Sequence, residues 1–217
     1  MNRLVAFGCS NTYGHGLPDC IENGLPGRSP SKLAWPNLLA TKLNLNVVNM
    51  GQPGASNKRI WHNALHYNYN HSDTVVIMWS YISRYAILDK SHEGPFESLH
   101  DKRMSPLVNL HPNQDNKRSR NYFKQFYEDY DSTQQLLAYS SHIHYMLESK
   151  NIKTYHIFAE CHMYEDNFYN LLPDSMNWKH WGFHWEENRI DEADDIRHNG
   201  PLSHIQWTDK IFDWMSE

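Results

Sequence analysis

The chain has little that would staple it covalently or hold it in a lipid. Only Cys9, Cys20 and Cys161 occur in 217 residues. An odd number with no CxxC spacing argues against a disulfide framework or a thiolate metal site, and predicts reduced thiols in a cytoplasmic protein. No apolar stretch approaches the length of a bilayer span, and no basic leader with a cleavage site precedes the first apolar run. Basic residues are outnumbered, 20 against 25 acidic ones, for a formal net charge of −5. A protein that tracks phosphates is basic overall, so nucleic acid is not an expected partner. The one dense basic run, Lys117, Arg118 and Arg120 beside Asp115, reads as a solvated loop. Internal repeats, low-complexity tracts and linkers are also lacking.

What remains is the composition of a single α/β domain over residues 1–217, with 40% hydrophobic residues and an aromatic content of 13%. Four short β-rich runs stand out: Leu4 to Phe7, Asn46 to Met50, Thr74 to Trp79 and Lys153 to Ala159. The first three are apolar throughout, as in strands covered on both faces of a parallel sheet. Helical patterns separate them: Trp35 to Leu43 with Pro36 near its start, Asn57 to Asn70, and Thr133 to Lys150. In the last, Ser132 and Gln135 suggest a capping box, and Leu136, Leu137, Ser140, Ile143 and Leu147 form the inward stripe. Alternating strands and helices predict right-handed βαβ units and a doubly wound sheet of about five strands. Two stretches resist the pattern, 89–121 and 160–192, and read as long insertions.

Three segments carry chemistry-bearing residues. Leu4-Val5-Ala6-Phe7-Gly8-Cys9-Ser10 ends a buried strand in Gly-x-Ser, at the carboxyl edge where open α/β sheets bind ligands. Ser10 there either presents its hydroxyl to the crevice or caps the next helix. Asn49-Met50-Gly51-Gln52-Pro53-Gly54 leaves a strand into a glycine-rich loop whose N–H groups can approach a ligand. Asp195-Ile196-Arg197-His198 precedes a final helix ending near Met215, and an Asp three residues before a His can orient its imidazole.

In their order and content the three segments resemble the SGNH/GDSL hydrolase family. That resemblance implies a three-layer αβα sandwich with a flavodoxin-like sheet, the SGNH hydrolase fold. It implies an esterase acting on a small-molecule or carbohydrate ester, without cofactor or metal. By it Ser10 is the nucleophile, His198 the general base and Asp195 its orienting partner, with the N–H groups of Ser10 and Gly54 as oxyanion donors. Two positions depart from the family pattern. Cys9 stands where the family has Asp. After the third strand, Trp79-Ser80-Tyr81-Ile82-Ser83-Arg84 contains no Asn to complete the oxyanion hole, leaving Ser80, Ser83 or Arg84 as substitutes; Arg84 carries a fixed fork of donors.

Competing readings stay open. A catalytic metal is prompted by the 15 histidines, but His142 and His144 are two apart on a helix, His180 and His184 flank Trp181-Gly182, and HExxH is absent. A Cys9 nucleophile is less apt, because small buried thiols are common. An SGNH-like binding module for a carbohydrate or acylated partner is favoured by the missing Asn and by the aromatic segment from Asn177 to Trp185. In that segment Trp178, Trp181 and Trp185 either stack on substrate or pack over the sheet.

Overall fold

Alternation within buried strands builds the core. In the computed structural model, which describes residues 2–22, 25–26, 29–88, 107–112, 115–159, 167–181 and 189–217, the first apolar run forms β1 (Arg3–Phe7). Leu4 and Ala6 leave one face of this strand, Val5 and Phe7 the other, and all four are buried. There follow α1 (Ser10–Tyr13), a short hairpin of β2 (Ile21–Glu22) and β3 (Leu25–Pro26), α2 (Trp35–Lys42), β4 (Asn46–Asn49), α3 (Asn57–His66) and β5 (Asp73–Trp79). A second hairpin joins β6 (Tyr85–Leu88) to β7 (Leu107–Leu110). Then come α4 (Lys117–Gln125), α5 (Asp129–Glu148), β8 (Lys153–Phe158), β9 (Trp178–His180) and α6 (Pro201–Ser216).

Five strands form one sheet in the order β4-β1-β5-β8-β9, every neighbour parallel. This is the doubly wound, flavodoxin-like order, which reverses direction between β1 and β5. On one face Ile60 of α3 and Leu136, Ile143 and Leu147 of α5 share a cluster with Val5, Phe7, Val75 and Ile77. On the other, Trp35 and Leu39 of α2 and Trp207 and Ile211 of α6 join Leu4, Ala6, Val76 and Met78. The three layers expected from the sequence are present. No described helix is long and apolar enough to cross a membrane.

Several local expectations change. β4 is an edge strand, so Val47 and Val48 are only partly buried. α3 stops at His66, because Tyr67 turns to extended backbone and the Tyr67 and Tyr69 rings lie against Phe7, 5.7 and 6.3 Å between centroids. α5 begins at Asp129, with Asp129 and Asp131 in its first turn; acidic groups favour a helix N-terminus. Gln135 lies inside the helix and donates to Asp131 (2.6 Å) rather than closing a capping box with Ser132. The basic run is the start of a helix, where the Asn116 side chain accepts the N–H of Ser119 (2.8 Å). Cys161 lies outside the described residues, while Cys9 and Cys20 are buried.

Two buried histidines make stability depend on pH. His156 accepts a hydrogen bond from Trp79 Nε1 at 3.2 Å, and Nδ1 of His204 accepts the N–H of Trp35 at 3.2 Å. Burial above all pushes both imidazoles down, to about 3. Their folded pKa lies below the unfolded one, so the unfolded chain takes up protons first as pH falls below about 6.5, and stability declines from there. Urea unfolding at pH 7 and pH 5 is expected to differ by about 1–2 kcal/mol for each histidine, with the acid sample weaker. Equal midpoints would contradict neutral burial of these rings.

Candidate active site

The direction of a doubly wound sheet changes where β1 and β5 adjoin, and the crevice at their carboxyl ends is where such folds bind ligands. Ser10 opens α1 just beyond β1, is 5% exposed, and its hydroxyl is not hydrogen-bonded to any described residue. The N–H groups of Gly14 and His15 both donate to the Ser10 carbonyl, at 2.8 and 3.0 Å, folding the chain back after one turn. The loop leaving β4 is stitched to the same turn. Asn49 Nδ2 donates to the Thr12 carbonyl (2.6 Å), Gly51 N–H donates to Asn49 Oδ1 (2.9 Å), and Gln52 N–H to the Gly8 carbonyl (3.0 Å). Gly54 ends this loop at φ +73°, a left-handed conformation that side chains strain.

The segment from Asp191 to Gly200 forms a tied loop ahead of α6. Asp191 accepts the N–H groups of Leu202 and Ser203 and the Ser203 hydroxyl, each at 2.8 Å. Burial alone would raise its carboxyl, but these hydrogen bonds outweigh that and hold it below the ordinary carboxylate range. Arg189 Nη2 donates to the carbonyls of Ile196 (3.1 Å) and His198 (3.2 Å). Within the loop, Asp195 Oδ1 accepts the N–H groups of Arg197 and His198, both at 3.0 Å. Asp195 Oδ2 lies 2.6 Å from His198 Nδ1. Burial acts to raise Asp195, yet the His198 contact and the two N–H groups hold it low, so the carboxylate is charged.

The loop docks on Gly16, whose carbonyl accepts Asp194 N–H at 3.0 Å. A Cβ at Gly16 would fall 2.8 Å from the Asp195 carboxylate, so only glycine permits this approach. His15 comes with it: its ring centroid is 4.9 Å from that of His198, and its Nε2 is 3.9 Å from Asp195 Oδ2. Burial, with His198 adding to it, lowers the His15 imidazole despite Asp195. The sequence motifs did not mark His15, although its place five residues after Ser10 put it in the same turn. His15, Asp195 and His198 are thus gathered on the turn that follows Ser10, with no direct Ser10–His198 hydrogen bond among the described residues.

The exit of β5 is occupied differently. Asn57 accepts Ser80 N–H (2.7 Å) and donates to the Ser80 carbonyl (3.0 Å). Arg84 Nη1 donates to Ser80 Oγ (3.1 Å), and its guanidinium lies over the Tyr81 ring, 4.7 Å from the centroid. His111, just past β7, brings Nε2 to 3.3 Å from where a Cβ on Gly54 would sit. Burial and then the Arg84 charge lower this imidazole. Nothing in the sequence announced His111, because it lies within the stretch 89–121 and the pairing of β7 with β6 delivers it.

Of the three tryptophans, Trp185 lies outside the described residues. Trp178 stacks on Tyr169, 4.7 Å between centroids, and packs in the α3–α5 layer. Trp181 packs edge-on against Trp214 (5.4 Å) in the other layer. Both rings therefore cover the sheet from opposite sides. Two shallow clefts, of about 560 and 480 Å³, lie elsewhere, one along α5 near Leu171 and Pro173, the other between α4 and the β6–β7 hairpin.

Solved structures similar to this chain include an acetyl xylan esterase (Est2A) from the rumen bacterium Butyrivibrio proteoclasticus. It is 12% identical, covering 99% of this chain and 63% of that one, with a TM-score of 0.55. A carbohydrate esterase whose active site displays divergent catalytic and non-catalytic binding functions is 11% identical over 100% of this chain and 68% of its own, with a TM-score of 0.61. The psychrotrophic esterase EstA from Pseudoalteromonas is 10% identical over 100% of this chain and 97% of its own, with a TM-score of 0.50. The chain spans less than two thirds of the acetyl xylan esterase. At such identities the likeness shows the fold, and that fold is the one of SGNH hydrolases. No curated protein matches the sequence. Residues 17–174 match a family of unknown function, DUF6071; the match begins after Ser10 and ends before Asp195, and it takes in well over half of the residues, so the chain belongs to that family.

Proposed function

We propose that the protein is a serine hydrolase that removes a small, acetyl-like acyl group from a carbohydrate or other small-molecule ester. The observation that carries this reading is the 2.6 Å contact of Asp195 Oδ2 with His198 Nδ1, in a loop hydrogen-bonded to Gly16, six residues after Ser10. An imidazole held by a carboxylate at Nδ1 keeps its Nε2 lone pair for a serine proton. Ser10 Oγ attacks the acyl carbon, its proton passes to His198, and Asp195 stabilises the imidazolium. The N–H groups of Ser10 and Gly54 receive the charge on the carbonyl oxygen. Collapse expels the alcohol, which takes the proton from His198, and water then repeats the sequence on the acyl-enzyme. In place of the family's missing Asn, Arg84, bonded to Ser80 at the exit of β5, or the neutral His111 beside Gly54 supplies the further N–H donor. Similar solved structures that are esterases, two of them acting on carbohydrate, support the substrate class.

A second reading is a binding module of the same fold. It is favoured by the absent Ser10–His198 hydrogen bond, and a serine-directed fluorophosphonate separates the two. An activated Ser10 is labelled, and Ser10→Ala and His198→Ala each lose nearly all turnover of p-nitrophenyl acetate. Activity rises with pH as an imidazole becomes neutral. Wild-type protein that neither labels nor hydrolyses would establish the binding module instead.

Gly54→Ala is expected to lower kcat by about tenfold or more with a smaller change in KM, since strain at φ +73° moves an N–H that matters only in the transition state. Unchanged kcat in a folded variant would remove Gly54 from the site. Asp191→Ala is expected to lose about 1–2 kcal/mol of stability, the usual cost of deleting a helix N-cap partner. Its kcat should also fall beyond what the unfolded fraction explains, because the Asp195–His198 loop loses its anchor. A destabilised variant with intact kcat would separate the anchor from the chemistry.

A further inference from the structure

Among the described residues, His15, Asp195 and His198 are the one trio of His, Cys, Asp or Glu side chains that brings a ligand atom from each within 4.8 Å of the others. The separations suit a first-row metal. Bonds of about 2 Å in a tetrahedron place ligand atoms about 3.3 Å apart, and Asp195 Oδ2 already lies 2.6 Å from His198 Nδ1 and 3.9 Å from His15 Nε2. Asp195 Oδ1 is committed to two backbone N–H groups, which fixes the carboxylate and leaves Oδ2 to turn to a cation. His15 provides a second, independent pointer. Its Nδ1 is buried with no partner, and its Nε2 lies 3.9 Å from Asp195 Oδ2 and makes no hydrogen bond to a described residue. Two imidazoles and a carboxylate with an open fourth position form a zinc-type donor set, and one with no preference for magnesium or calcium.

We infer that His15 Nε2, Asp195 Oδ2 and His198 Nδ1 form a binding site for zinc-class divalent cations whose occupancy switches the serine chemistry off. The cation takes the place of the proton between Asp195 and His198; the imidazole tautomerises, its single proton moving from Nδ1 to Nε2, so that Nε2 has no lone pair for Ser10. Binding itself does not depend on the esterase reading; the inhibition does. Affinity rises with pH, since both imidazoles must be neutral to ligate.

The test is calorimetric titration of the full chain with zinc chloride alone, beside ester turnover. One zinc per chain is expected for the wild type and for Ser10→Ala, with magnesium giving no heat. His15→Ala and the gentler His15→Gln should each weaken zinc by about tenfold or more, as loss of even an outer-shell partner does. Turnover by the wild type should fall on adding zinc and return with EDTA, and turnover by His15→Gln should resist zinc. No binding below about millimolar zinc, or equal binding by wild type and both folded His15 variants, would overturn the site. Activity abolished by EDTA alone would overturn the inhibitory role in favour of metal catalysis. A wild type that binds zinc through His15 but hydrolyses no ester would leave the site standing and remove the esterase reading.

Discussion

The placement of His198 depends on one carboxylate that does no chemistry. Asp191 closes the first turn of α6 by accepting two of its N–H groups and the Ser203 hydroxyl. The N-terminal N–H groups of a helix have no partners within it, and they carry the positive end of its dipole. A charged acceptor there satisfies both needs. Because Asp191 also bonds through its carbonyl to Gly200 N–H (3.1 Å), it pins the two ends of the loop together. Arg189 then ties the tip, and Asp195 has a rigid base from which to meet His198. Helix α6 packs through Trp207 and Ile211 on the sheet, so the loop inherits the precision of the core.

A parallel sheet explains why segments more than a hundred residues apart arrive at one edge. Every strand of the sheet runs the same way, so every strand-to-helix turn opens at the carboxyl end. The reversal of order between β1 and β5 sends their following elements to opposite faces and leaves a crevice between them. Ser10 follows β1 and Ser80 follows β5 directly. Asn49 and Asn57 then act as rivets, each joining one of these turns to its neighbour through both ends of its amide. Both residues are buried, where an unpaired amide would cost more than either bond contributes. Their pairing therefore fixes loop positions as well as stabilising them.

How much of this was legible in the sequence follows from how local each feature is. β1 and β5 hold apolar runs covered on both faces, and their composition alone marks them. β9 has three residues, Trp178 to His180, and exists because β8 offers an edge for pairing; no periodicity fits in so short a piece. α5 started a turn before its apolar stripe, since Asp129 and Asp131 stabilise the helix end without facing the core. Gly-x-Ser, the glycine loop and Asp-x-x-His were visible because each is a short motif with a fixed job. His15 and His111 were not. Their relevance comes from what the fold sets beside them, Asp195 in one case and Gly54 in the other. The aromatic segment shows the same limit in reverse. Trp178 and Trp181 looked like one cluster along the chain, yet strand alternation and the β9 turn send their rings into different layers.

The Asp195 carboxylate is asked to serve two imidazoles, and electrostatics decide how. Three partners converge on it besides its own backbone: His198 at 2.6 Å, His15 at 3.9 Å, and the Gly16 turn pressed against it. A single negative charge partly removed from water attracts one proton between two rings more readily than it supports two cations, because the rings repel each other when both are charged. His15 is lowered by burial and by His198, so its own imidazole stays neutral beside the carboxylate. That leaves a neutral imidazole beside a fixed carboxylate. Under the proposed metal site this imidazole becomes a ligand when a dication displaces the proton between Asp195 and His198. The arrangement proposed to orient a general base and the one proposed to capture a metal then differ in where the single His198 proton sits, and free metal sets which one the site occupies.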